Sequence, residues 1–202
     1  MKILLLSATQ FEIQPFLQAL PKVDVLIGGV GVPATIFHLT KQLNHHHYDL
    51  VIQAGIAGFF QKAGLELGEV VTVQKDCFAD LGAIEKDTFQ TVQDMGFSNE
   101  PEWMHNTNPL LNKLSFKQVK AATVNTVTGD GNIIQTLQQK WQADIESMEG
   151  AALHYVCHHQ KINYLQLRSI SNQVGERDKT KWQIKKAIEN LNNALKIIMD
   201  NL

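Results

Sequence analysis

Leu50-Val51-Ile52-Gln53-Ala54-Gly55-Ile56-Ala57-Gly58 begins as a short apolar run and ends among glycines. Leu50–Gln53 is apolar on both faces, the pattern of a strand whose sheet is covered by helices on either side. The Gln53–Gly58 segment reads as a glycine turn closing it. Runs of the same kind recur at Ile3–Leu6, Val23–Ile27, Val70–Val73, Val119–Val127 and Tyr164–Leu167. Between them, Phe11–Leu20, Ala34–Leu43, Asn132–Trp141 and Met148–His159 carry helical spacing. Ile184, Ile188, Leu191, Leu195 and Ile198 recur at steps of three and four, which makes a final amphipathic helix. This alternation predicts an α/β fold, a three-layer α/β/α sandwich around a mixed, mainly parallel sheet. No linker or repeat divides residues 1–202, so one domain is expected. Asp80–Leu114 is polar and poorly periodic and reads as a long loop, either a lid or an oligomer contact.

Composition narrows the function. Of 202 residues, 44% are hydrophobic and 19% charged, which excludes intrinsic disorder and supports one continuous core. Net charge is −2, and Arg168 and Arg177 are the only arginines, so the chain lacks the basic stripe that nucleic-acid binding needs. Cys77 and Cys157 are too few for a disulfide framework or a zinc cluster and read as buried free thiols of a reducing compartment. The N-terminal apolar run of about five residues is shorter than a signal peptide's core. No run approaches the roughly 18 apolar residues of a membrane span. A cytoplasmic protein that touches neither nucleic acid nor membrane is expected.

Two motifs invite a ligand and are better explained without one. Gly29-Val30-Gly31-Val32-Pro33-Ala34 matches a dinucleotide fingerprint, with Asp49 downstream. Asp49, however, precedes the next strand instead of ending it, and the motif follows the second strand. A tight turn feeding a helix is the reading preferred, with its N–H groups free to face polar atoms. His45-His46-His47 cannot all face one ion and have no carboxylate partner at ligand spacing, so they read as an exposed loop. His154, His158 and His159 are assigned to packing and surface. Neither a metal nor a cofactor is expected.

Chemistry concentrates at the ends of strands. Glu12 stands just past the first strand, where ligands of open α/β sheets gather, and can act as a base or as a first-turn helix glutamate. Glu146-Ser147-Met148-Glu149-Gly150-Ala151-Ala152 places Glu149 between a short strand and an alanine-rich helix. A carboxylate there can accept from two neighbouring hydroxyls, as on a ribose. Arg168-Ser169-Ile170-Ser171-Asn172 closes the next strand with an arginine and an amide.

Together these segments resemble the nucleosidase branch of the purine nucleoside phosphorylase superfamily, over nearly the whole chain. Ser147–Ala152 followed by Arg168–Asn172 is the specific part. Within the branch, Ser169-Ile170-Ser171-Asn172-x-Val174-Gly175 with Arg177 and Trp182, and Phe78-Ala79-Asp80-Leu81-Gly82, are most similar to the futalosine hydrolases. The resemblance implies a nucleoside phosphorylase-like fold and an N-glycosyl hydrolase that releases hypoxanthine from futalosine for menaquinone biosynthesis. It implies catalytic roles for Glu12, Arg168 and Asn172. Met148, Glu149, Ile133, Asn132, Phe78, Gly55 and Ser171 would bind substrate, with Glu149 on the ribose hydroxyls. Asn132 stands where adenine-cleaving relatives carry a stacking aromatic, so Phe78 or Trp103 is the substitute, and Ile56 replaces a small hydroxyl residue. His105, Arg177 and Lys179 are candidates for the benzoate of futalosine. Adenine-cleaving relatives carry aspartate where this chain has Asn172, and an amide that donates without transferring a proton favours a 6-oxopurine. The implied partner is a small nucleoside, and a homo-oligomer is implied, with Pro101–Leu111 reaching a neighbour's pocket. The alternatives are another purine nucleosidase, a 6-oxopurine nucleoside phosphorylase, or a nucleoside-binding protein without turnover. The shortage of arginine before position 168 disfavours phosphate.

Overall fold

The computed structural model describes residues 1–19, 22–86 and 88–202. In chain order the elements are β1 (Ile3–Ser7), α1 (Gln10–Leu17), β2 (Asp24–Ile27), α2 (Val32–His45), β3 (Leu50–Phe59) and β4 (Val70–Phe78). Then come β5 (Gly82–Glu85), β6 (Thr88–Thr91), β7 (Met104–His105), β8 (Lys117–Thr123) and α3 (Gly131–Trp141). The chain ends with β9 (Ile145–Ser147), α4 (Gly150–Gln160), β10 (Asn163–Gln173) and α5 (Ile184–Asp200).

Single-residue alternation along β1 builds the layers. Ile3 and Leu5 join Leu165, Leu167, Phe16, Leu191 and Leu195 on the side of α1 and α5. Leu4 and Leu6 join Leu39, Leu43, Leu153 and Val156 on the side of α2 and α4. The three-layer sandwich is therefore present, and its sheet is mixed and mainly parallel. Pairs β1–β2, β1–β3, β3–β10, β4–β8 and β8–β9 are parallel, whereas β4–β10, β3–β9 and β4–β7 are antiparallel. Because β10 pairs with both β3 and β4, strands β3, β10, β4, β8 and β9 close a ring, and β1 and β2 extend from it.

That ring explains where the apolar runs stop short of the real strands. β3 continues through Gly55–Gly58 to Phe59, so the expected glycine turn is strand, and β10 continues through Arg168–Asn172 to Gln173. Polar residues of the ring strands are buried by contacts across it: Gln53 of β3, Thr72 and Asp76 of β4, Thr123 of β8, and Gln166 and Arg168 of β10 are all under 3% exposed. β8 ends at Thr123, short of Val127. The stretch expected as a loop at Asp80–Leu114 carries the β5–β6 hairpin, β7 and a tight helical turn at Pro109–Asn112. The first helix, expected to Leu20, stops at Leu17, and Leu20 lies outside the described residues.

Helix α1 is held by a residue far along the chain. Pro15 interrupts its supply of N–H donors. Buried Asn192 of α5 accepts from Phe16 N–H (2.9 Å) and donates to the Glu12 carbonyl (2.8 Å) and to that of Ile188 (2.6 Å). Its amide thus bridges the N–H and C=O that a regular helix pairs across one turn.

Candidate active site

Glu12 is the third residue of α1, and its carboxylate both caps the helix and faces a cleft. Oε2 accepts from Thr9 N–H (3.1 Å), Thr9 Oγ1 (2.9 Å) and Ser7 Oγ (3.4 Å). Oε1 accepts from Ile56 N–H (3.1 Å) on β3. One side chain therefore caps the first turn and lines the cleft.

Leu165 and Leu167 point into the α1–α5 core, so Gln166 and Arg168 point to the opposite side of β10. Arg168 is 1% exposed. It donates to Gln53 Oε1 (3.1 Å), Gln166 Oε1 (3.3 Å) and the Ile56 carbonyl (3.4 Å), and its Nη1 lies 3.5 Å from Glu149 Oε2. Glu149 Oε1 accepts from Gly31 N–H (3.0 Å), in a turn whose Gly29 and Gly31 have φ of 82° and 88°. The dinucleotide-like motif thus supplies a donor to an internal carboxylate.

Behind Arg168 lies Asp76, which sequence reasoning missed. It accepts from Gln166 Nε2 (2.8 Å), Cys77 N–H (2.8 Å) and Thr123 Oγ1 (3.0 Å). Burial pushes its carboxyl up to about 7, against the opposing pull of the Thr123 hydroxyl and the Arg168 charge. Gln166, bonded to both Asp76 and Arg168, relays the one to the other.

Gly55 lies directly beneath the guanidinium. A Cβ there would sit 2.5 Å from Arg168 Nη1 and 3.0 Å from Glu12 Oε1, so both charged groups converge on one point. Gly55→Ala is expected to cost about 1–3 kcal/mol and to lower turnover, because the methyl displaces two functional groups at once. Thermal melts and base-release rates check it, and a variant equal to the natural protein in both would refute the convergence.

The cleft has a volume of about 540 Å³. Glu12, Met148, Glu149, Ser171 and Asn172 line it together, as do Arg177 and Lys179 at its rim. Asn172 donates to the Gln173 carbonyl (3.0 Å) and accepts from Ser171 Oγ (2.7 Å), which fixes the orientation of its amide. Five residues implied by resemblance are not brought there. Asn132 and Ile133 occupy the exposed first turn of α3, where Asp130 caps their N–H groups (2.8 and 3.4 Å). Phe78, at the end of β4, meets Tyr155 of α4 edge-on with ring centroids 5.9 Å apart and lines a separate cavity. Trp103 is held by Lys75 (4.2 Å) and Trp141 (5.6 Å), and His105 sits exposed on β7. Glu146, quoted in the motif but given no role, does line the cleft.

The other titratable side chains behave structurally. Cys77 and Cys157 are buried free thiols, both pushed up by burial. Burial drives His154 down to about 3, so its ring is neutral, bonded to the Met104 carbonyl at 3.0 Å. His45, His46 and His47 are exposed, and no cluster of metal-ligating side chains occurs among the described residues. No helix of the described residues is long and apolar enough to cross a membrane.

Comparison with known proteins bears on the family and the fold. The family model of the Phosphorylase superfamily matches residues 20–200. Futalosine hydrolase of Acidothermus cellulolyticus is 32% identical over 85% of this chain and 72% of its own length. That of Thermus thermophilus is 28% identical over 97% and 94%. In fold, the chain superposes on futalosine hydrolase of Helicobacter pylori with a TM-score of 0.84 at 19% identity, covering 100% of this chain and 98% of that one. A shared fold, a family model spanning nearly the whole chain and a relative above 30% identity lead to one assignment: this chain belongs to the phosphorylase superfamily.

Proposed function

We propose that the protein hydrolyses the N-glycosidic bond of futalosine and releases hypoxanthine. The observation that carries hydrolysis over phosphorolysis is the state of the backbone donors. Ile56 N–H and Gly31 N–H, the groups an inorganic phosphate would use beside the glycine segments, already serve Glu12 and Glu149. Two carboxylates there repel an anion and accommodate water.

Cleavage of a sugar–purine bond passes through an oxocarbenium-like state, with positive charge on the ribose and negative charge on the base. Glu149 holds the ribose hydroxyls and, with Glu12, faces the positive charge. Met148 packs against the sugar. Glu12 Oε1 takes a proton from water as the water oxygen bonds to the anomeric carbon, and Arg168 orients both. The bond to the purine nitrogen breaks with its electron pair going to the base. Asn172 donates to the departing base but transfers no proton, so the base is protonated from solvent. Hypoxanthine, a better leaving group than adenine, tolerates this. Arg177 and Lys179 at the rim take the benzoate. The relatives named futalosine hydrolase support the substrate, and the cytoplasm and a homo-oligomer are the setting that goes with it.

The test is chromatographic. Futalosine, inosine and methylthioadenosine are incubated separately, each with and without phosphate, and free base is measured. Hypoxanthine from futalosine without phosphate is the expected result. Base from inosine only with phosphate would make the protein a phosphorylase. Asn172→Asp is expected to shift preference toward 6-aminopurine nucleosides by about ten- to a hundredfold, since one buried polar mismatch is exchanged for another. Unchanged kcat/KM ratios would remove Asn172 from base recognition.

A further inference from the structure

Glu146 is the cleft carboxyl to which this reaction gives no task. It is 7% exposed, and among the described residues no protein group donates to it. Burial pushes its carboxyl up to about 7, Asp80 adds to the rise, and Arg177 opposes it. A carboxylate held in this way is favoured by any ligand that brings a donor.

Strand register says where that donor would lie. Asn172 of β10 pairs with Gly58 of β3, and Gly58 pairs with Glu146 of β9. Paired residues on neighbouring strands present their side chains on one face, and the strands are about 4.8 Å apart. Asn172 and Glu146 therefore stand about 10 Å apart across a residue that has no side chain. A Cβ on Gly58 would come within 3.0 Å of Val174 Cγ2 and 3.2 Å of Asn172 Nδ2, so a valine methyl and the amide both lean over this floor. All three residues line the cleft. The result is a slot with two polar walls and a side-chain-free base edged by the Val174 methyl.

The walls differ in chemistry. Asn172 Oδ1 is engaged by the Ser171 hydroxyl, and one amide hydrogen by the Gln173 carbonyl, which leaves one N–H to donate. Glu146 offers only lone pairs when ionised. An acceptor edge followed by a donor edge is what a 6-oxopurine presents, with N7 and O6 and then N1–H. Adenine presents a lone pair at N1, which would meet the Glu146 lone pairs.

We propose that Glu146 is a second specificity-determining residue, accepting N1–H of a 6-oxopurine while Asn172 donates to O6 or N7 across Gly58. The inference rests on the purine-release reading above and assigns the far edge of the base. Calorimetric binding of hypoxanthine and 1-methylhypoxanthine tests it without turnover. The natural protein is expected to bind hypoxanthine about ten- to a hundredfold more tightly. Glu146→Gln, whose carbonyl oxygen still accepts, keeps most of that ratio, whereas Glu146→Ala collapses it to within about twofold. A ratio unchanged in Glu146→Ala overturns the inference, as does a natural protein that binds the two bases equally or not at all. The two readings separate cleanly. Futalosine cleavage with an unchanged ratio in Glu146→Ala sinks only the role of Glu146. A collapsed ratio in a protein that cleaves no futalosine sinks only the substrate.

Discussion

Glu12→Gln is expected to slow base release by about a hundred- to ten-thousandfold, the range of a lost general base, while nucleoside binding stays close to that of the natural protein. An amide cannot take the water proton, yet its size and shape fit the same place. One amide oxygen also cannot replace two carboxylate oxygens here. Whichever way it turns, its NH2 faces either Ile56 N–H or the Thr9 donors. A modest fall in melting temperature therefore accompanies the loss of rate. Single-turnover base release beside calorimetric binding separates the two effects. A rate within threefold of the natural enzyme's, far inside the span expected for a base, would move the role elsewhere.

The second large effect is on stability. Arg168→Met keeps volume but removes the cation that Glu149, Gln53 and Gln166 share. Breaking a buried ion pair from one side costs about 3–5 kcal/mol, which for a chain of this length is a drop of roughly ten degrees in melting temperature. The pH dependence follows from Asp76. Its folded carboxyl is raised from 3.8 to about 7, so the proton it retains stabilises the fold fully below about 4. That contribution is lost as pH rises toward 7. Without the Arg168 charge the carboxyl rises further, so the decline extends to higher pH in the variant. Melts at pH 4, 6 and 8 check this, in a window set by those two values. A variant whose melting temperature runs parallel to the natural protein's would separate Asp76 from Arg168.

Much of this architecture is legible in the residues. Ile3–Leu6, Leu50–Gln53 and Tyr164–Leu167 are apolar on both faces, and both faces are covered. Glu12, Glu149 and Arg168 stand out because each is a charged residue at an abrupt change from apolar strand to turn or helix; the fold brings Glu12 and Glu149 to one cleft, with Arg168 buried behind it against Glu149. Asp76 does not stand out. An irregularity in the β4–β8 register between Val73 and Lys75 breaks the alternation just before it, so Gln74-Lys75-Asp76 reads as a polar exit from a strand. Glu146 is adjacent to the strongest motif, but its meaning depends on β9 pairing with Gly58, a contact far apart in sequence. The one local signal is an acidic residue within a three-residue strand that is wholly buried. Asn132, Ile133 and Phe78 show the opposite case. Sequence similarity carries a role to a position, but the cap on α3 and the Tyr155 ring decide where those side chains lie.

The Asn192 bridge to α1 also has a consequence in time. The two residues it joins are 180 positions apart. At the usual pace of translation, roughly ten to forty seconds separate their emergence from the ribosome. Throughout that interval the helix bearing Glu12 lacks its Asn192 clasp, and only the Ser7, Thr9 and Ile56 donors hold its carboxylate. The final geometry of the first helix is thus tied to completion of the last one.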